Sequence, residues 1–78
     1  NQNFLVQIKV VGEERKNFLN DVTSVMKNQN ININSLDAKS EEGIATINMV
    51  LEVRDTRQFM RIKNRISNIN GLIFIERM

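Results

Sequence analysis

Two groups of side chains in this sequence could do chemistry, and in both cases the chemistry is binding. The first is the run Glu14, Arg15, Lys16, Asn17, followed at once by Phe18 and Leu19. A charged turn that opens a helix offers free N–H donors and a partial positive charge, which suits a carboxylate. Asn34, on a neighbouring strand, could contact an amino group of the same ligand. The second is Arg57, Arg61 and Arg65, with Arg54 just upstream. Spacing of four residues puts three guanidinium groups on one side of a helix. No acidic residue follows Asp55 until Glu76, so this face could neutralise a few RNA phosphates, each contact adding salt dependence.

Covalent and acid–base catalysis have little to work with. The chain has no cysteine and no histidine, which removes thiolate nucleophiles, zinc knuckles and the usual proton shuttle near neutral pH. Its serines therefore have no imidazole partner for a triad. Asp37, Glu41 and Glu42 could hold a hard cation, but the same placement describes a solvated hairpin, and no metal or cofactor is expected.

The elements that must position these residues follow from periodicity. Phe4, Val6, Ile8 and Val10 alternate with Leu5, Gln7 and Lys9, which predicts a half-buried strand ended by Gly12. From Lys16 to Asn28, Phe18, Leu19, Val22, Val25 and Met26 gather on one side of a helix. Ile31 to Lys39 reads as a second strand whose apolar parity switches between Ile33 and Leu36, so a bulge is expected near Asn34 and Ser35. Ser40 to Gly43 looks like a polar hairpin turn before the alternating strand Ile44 to Arg54. Asp55 with Gln58 predicts a capped helix whose buried stripe is Phe59, Ile62, Ile66 and Ile69. Gly71 is placed as a left-handed cap ahead of a last strand, Leu72 to Arg77.

Strand, helix, strand, strand, helix, strand is the α+β order of ferredoxin-like βαββαβ folds, a four-stranded antiparallel sheet with both helices on one face. The second and fourth strands become edges. At 78 residues the chain is one small domain, and with disulfides excluded its stability margin invites a partner. Its net charge of +2 does not amount to a strong nucleic-acid stripe, and no apolar run approaches a membrane span. The start at Asn1, with no signal-like segment, suggests a fragment of a longer cytoplasmic protein. An RRM-like use of the sheet is disfavoured, because the third strand has no aromatic residue and Phe74 alone is expected to face outward.

The segment Val10 to Val22 resembles the ACT-domain signature, in which a strand ends in a turn carrying an acidic residue and arginine, followed by two apolar residues and Asp-Val. Asn30 to Leu36, Gly43 to Ile47 and Ile69 to Arg77 are similar to the family's later segments, so the resemblance covers nearly the whole chain, 1–78. It is nearest to the ACT domain at the carboxyl end of RelA/SpoT-type (p)ppGpp synthetase/hydrolases, particularly at Val11-Gly12 and Val53-Arg54-Asp55.

That resemblance implies a non-catalytic regulatory domain of a stringent-response enzyme, a GTP pyrophosphokinase whose catalysis lies upstream. Its partners would be other domains of the parent enzyme, a second copy in a homodimer, a small amino acid, or the ribosome with tRNA. It also leaves open an amino-acid-sensing domain of a biosynthetic enzyme, or an RNA-docking module without a small-molecule ligand. Two positions depart from the family: Asn17 stands where amino-acid-binding members place glycine, and Glu14 where aspartate is expected.

Overall fold

A computed structural model of the chain describes residues 2–78. The elements are β1 (Phe4–Glu13), α1 (Phe18–Asn28), β2 (Asn32–Glu41), β3 (Ile44–Val53), α2 (Thr56–Ser67) and β4 (Leu72–Arg77). The strands form one antiparallel sheet in the order β2-β3-β1-β4, with β2 and β4 at the edges. This is the ferredoxin-like arrangement that the order of periodicities predicts.

One face of the sheet carries the core. Val6, Ile8 and Val10 of β1 and Ile47, Met49, Leu51 and Val53 of β3 meet Phe18, Val22 and Met26 of α1 and Phe59, Ile62 and Ile66 of α2, all buried. The period-two and helical stripes therefore describe the same apolar volume from opposite sides. The other face presents Gln7, Lys9, Asn48 and Glu52, the alternate residues of the same strands.

Local chemistry sets the boundaries. Asp55 accepts from the Gln58 N–H at 2.8 Å, while Gln58 Oε1 accepts from the Arg54 N–H at 2.6 Å, so cap and counter-cap both close. The hairpin between β2 and β3 turns on two residues, Glu42 at φ 51° and Gly43 at φ 81°, the pair of left-handed conformations of a type I′ turn. The register slips between Ile33 and Ser35, leaving Asn34 as the bulged residue that the parity switch predicts.

Several expectations need correction. β1 does not end at Gly12: the strand runs on to Glu13, and Gly12 pairs with both Ala45 and Leu72. There the missing side chain makes room for the Phe18 ring, so this glycine serves a close approach rather than a turn. α1 starts at Phe18 rather than Lys16, and β2 is shifted to Asn32–Glu41. Gly71 is not the cap of α2, which ends at Ser67 with Asn68 as its C-cap. It occupies the third position of the Ile69–Leu72 turn at φ 94°, closed by the Leu72 N–H on the Ile69 carbonyl. Phe4 and Leu19, both placed on buried stripes, are 39% and 43% exposed: Phe4 is the first residue of β1, and Leu19 lies beside the buried Phe18, Val22 and Met26 and faces the open space at the start of α1.

Candidate functional site

The loop from Glu14 to Asn17 is fastened at one end of the sheet. The Glu13 N–H donates to the Gly71 carbonyl at 2.8 Å and the Glu14 N–H to the Gly43 carbonyl at 2.9 Å, which ties the loop to the two neighbouring turns. Arg15 adds a third tie. Its Nε donates to the Asn70 carbonyl, one terminal nitrogen donates to the Lys16 carbonyl and the other to Asp21, at 2.8, 2.8 and 2.9 Å. The guanidinium also lies 5.5 Å from the centre of the Phe18 ring. One planar fork thus joins the loop, the start of α1 and the turn before β4.

Asn17 is the N-cap of α1 and adopts a left-handed backbone, φ 70° and ψ 6°, with no side-chain capping bond. Asparagine is among the few residues that tolerate this region without glycine's freedom. The Phe18 N–H turns back to the Arg15 carbonyl and the Asp21 N–H to the Asn17 carbonyl. The second of these is the first regular bond of the helix; of the donors before it, that of Phe18 is taken by Arg15 and those of Leu19 and Asn20 remain for an anion.

Beside these donors lies a cleft of about 280 Å³. Glu14, Arg15, Phe18 and Leu19 form one wall; Ala38, Lys39 and Ser40 of β2 with Ala45 and Ile47 of β3 form the other. A largely apolar floor with charges at the rim is the composition of a small-metabolite site, and the size suits a single small molecule. Asn34 is not part of it. The bulge lies four residues along β2 from Ala38, the nearest lining residue of that strand, about 13 Å at strand rise, and there Asn34 accepts a hydrogen bond from Asn32 at 3.0 Å. Lys16 and Asn17 are exposed beside the cleft rather than lining it.

The walls supplied by β2 and β3 are what sequence reasoning missed. The available signal was the set of small residues Ala38, Ser40 and Ala45 at strand positions where a bulky apolar residue would close the space.

The arginine group of α2 is where spacing places it. Arg54, Arg57, Arg61 and Arg65 are all exposed. Arg54 approaches Asp55 at 3.7 Å, the one acidic side chain on this surface of the helix. The Asp55 carboxyl is held below the ordinary value of 3.8, first by the Gln58 N–H it accepts and further by the charges of Arg54 and Arg61. Among the described residues no group of acidic side chains is arranged to hold a metal ion. No helix is long and apolar enough to cross a membrane.

Comparison with known proteins adds the family. The ACT domain model matches residues 1–77. The chain is 28% identical over 75 residues to a guanosine-3′,5′-bis(diphosphate) 3′-pyrophosphohydrolase of Aquifex aeolicus, covering 96% of this chain and 11% of that one. It is 25% identical over 77 residues to a GTP pyrophosphokinase of Haemophilus influenzae, covering 96% of this chain and 10% of that one. The chain therefore spans about a tenth of the length of these relatives. The crystal structure of the ACT domain from GTP pyrophosphokinase of Chlorobium tepidum superposes with a TM-score of 0.90 at 26% identity, over 99% of this chain and 100% of that one. A homoserine dehydrogenase from Thiobacillus denitrificans shares the fold at a TM-score of 0.81 and 13% identity, over 97% of this chain and 17% of that one.

Proposed function

The chain belongs to the ACT domain family, and from that premise we propose that it is a non-catalytic regulatory domain of a RelA/SpoT-type (p)ppGpp synthetase/hydrolase, working in the cytoplasm. The observation that carries the reading is the pairing of full-length similarity to such enzymes with a cleft at the start of α1. The domain acts by binding. A small amino acid enters the cleft with its carboxylate on the Leu19 and Asn20 N–H groups and its side chain against Phe18, Ala45 and Ile47. It regulates the parent enzyme because occupancy favours one arrangement of the attached domains over another; a ligand bound equally in all arrangements would change nothing. A homodimer formed through an exposed sheet edge is part of the same reading.

Titration with valine, isoleucine and leucine, followed by backbone amide shifts, tests the ligand. Shifts at Leu19, Asn20, Ala38 and Ser40 that saturate at millimolar amino acid are expected. Unmoved amides at those positions, with the fold intact, remove the amino-acid part of the reading.

The exposed arginines of α2 favour a second reading, contact with ribosomal RNA or tRNA. Binding of a structured RNA should then weaken as salt rises. Joint replacement of Arg57, Arg61 and Arg65 by Ala should lower the slope of log affinity against log salt by about 2 to 3. An unchanged slope clears this face of the role.

A further inference from the structure

Of the twelve asparagines in the chain, Asn70 alone is followed by glycine. With no side chain on Gly71, nothing shields its backbone nitrogen from the Asn70 amide, so the pair can close on itself. Both reacting groups are free. Asn70 is exposed, and among the described residues its side-chain amide makes no hydrogen bond and the Gly71 N–H meets no backbone acceptor. Asn34, which precedes the small Ser35, is held instead within β2, with its Oδ1 accepting from Asn32 at 3.0 Å.

We propose that Asn70 is a site of self-modification, converted through a succinimide to isoaspartate and aspartate, and that Arg15 sets the rate by holding the Asn70–Gly71 peptide in an unreactive orientation. In the first step the Gly71 nitrogen gives up its proton to solvent and bonds to Cγ of Asn70. The Cγ–Nδ2 bond breaks, and ammonia leaves with a proton from water. Water then opens the ring at Cγ, which gives aspartate, or at the former α carbonyl, which gives isoaspartate.

The turn opposes the first step. Gly71 at φ 94°, with the Leu72 N–H on the Ile69 carbonyl at 3.1 Å, makes Ile69–Leu72 a type II turn. Asn70 is its second residue, where ψ is about 120°. A planar imide brings Cβ into eclipse with the Gly71 nitrogen, and Cβ stands about 120° round the Cα–C bond from the backbone nitrogen, so the ring needs ψ of about −120°. The peptide plane must therefore turn over. Arg15 resists this, because its Nε donates to the Asn70 carbonyl at 2.8 Å and its other nitrogens are anchored on Lys16 and Asp21. A cation on that carbonyl also acidifies the N–H of the same peptide. The rotation breaks the hydrogen bond before the nitrogen reaches Cγ, so the restraint outweighs the acidification.

Conversion alters the loop that Arg15 fastens. In isoaspartate the main chain runs through Cγ, one methylene longer, and the former Asn70 carbonyl becomes a free carboxylate beside Arg15 Nε. A charged acceptor there competes with Asp21 for the guanidinium.

Incubation of the chain at neutral and mildly alkaline pH, followed by peptide mass spectrometry and isoaspartate methylation, tests the proposal. Asn70 should gain the mass of oxygen in place of NH before any other asparagine, faster at the higher pH, and amide shifts should spread from Gly71 to Asp21 as it does. N70S, which cannot form the ring, should show neither change. R15A should convert about tenfold faster, the factor expected from losing one charge-assisted hydrogen bond when conversion follows opening of the turn. D21A removes one anchor of the same guanidinium and leaves the turn untouched; it should also speed conversion and is read in place of R15A if that variant does not fold. A rate no higher than wild type in the variant read overturns the hold by Arg15 while the site stands. No conversion at Asn70 in wild type or variants, or conversion first at Asn34, overturns the site itself.

Discussion

Arg15 is the side chain whose removal should be felt furthest from its own position. Its three hydrogen bonds reach Lys16, Asp21 and Asn70, so R15A should lower stability by about 1–3 kcal/mol and R15K should recover little, since an ammonium cannot span the fork. Urea unfolding of the two variants checks this. Gly12 is the tighter constraint. A Cβ there would come within 2.9 Å of Phe18 Cε2 and nearer still to the rest of the ring edge. G12A should cost about 1–3 kcal/mol as overpacking, read as a drop in the thermal midpoint. At Asn17, with φ 70°, N17A should cost about 1 kcal/mol of backbone strain whereas N17G should be tolerated and should widen access to the Leu19 and Asn20 N–H groups. Little of this was legible in the sequence. Glu14-Arg15-Lys16-Asn17 reads as a ligand-facing loop, and nothing in its spacing shows that the arginine's acceptors include a carbonyl fifty-five residues away.

At the scale of elements, α2 depends on its cap. The Asp55 carboxyl has its proton affinity lowered by the folded state, so its contribution is fully present above the unfolded value near 3.8 and is lost as pH falls through the lower folded value. Wild-type protein should therefore lose stability more steeply than D55A in this acid range, the two curves converging at the lowest pH; urea midpoints taken across the range measure it. The elements themselves were largely legible, because alternation in β3 and the stripe Phe59, Ile62 and Ile66 of α2 each have one physical solution; Ile69, expected on the same stripe, lies past the helix end at Ser67 and is half-buried. The bulge at Asn34 was legible for the same reason: two apolar parities in one strand must be reconciled somewhere. Strand ends were not. β1 passes through Gly12 because the Phe18 ring needs the space, a condition imposed by a helix that follows in sequence and packs from above.

Across the whole molecule, the loop of the candidate site gathers with the Gly43 and Gly71 turns at one end of the sheet. The cleft was only half legible, since its α1 wall is contiguous in sequence while its β2 and β3 wall arrives by strand pairing. Asn34 shows the converse: a residue on a strand that lines the cleft can still stand about 13 Å from it. The opposite end of the sheet carries the start of β1 and the end of β4. β1 enters there at Phe4, and β4 leaves antiparallel beside it, with the Met78 N–H on the Gln7 carbonyl. Tension applied between the two ends would consequently peel the β1–β4 ladder one rung at a time instead of shearing all its rungs at once. The domain is mechanically compliant along the line on which neighbouring segments would pull, although β1 is the strand most deeply held in its core.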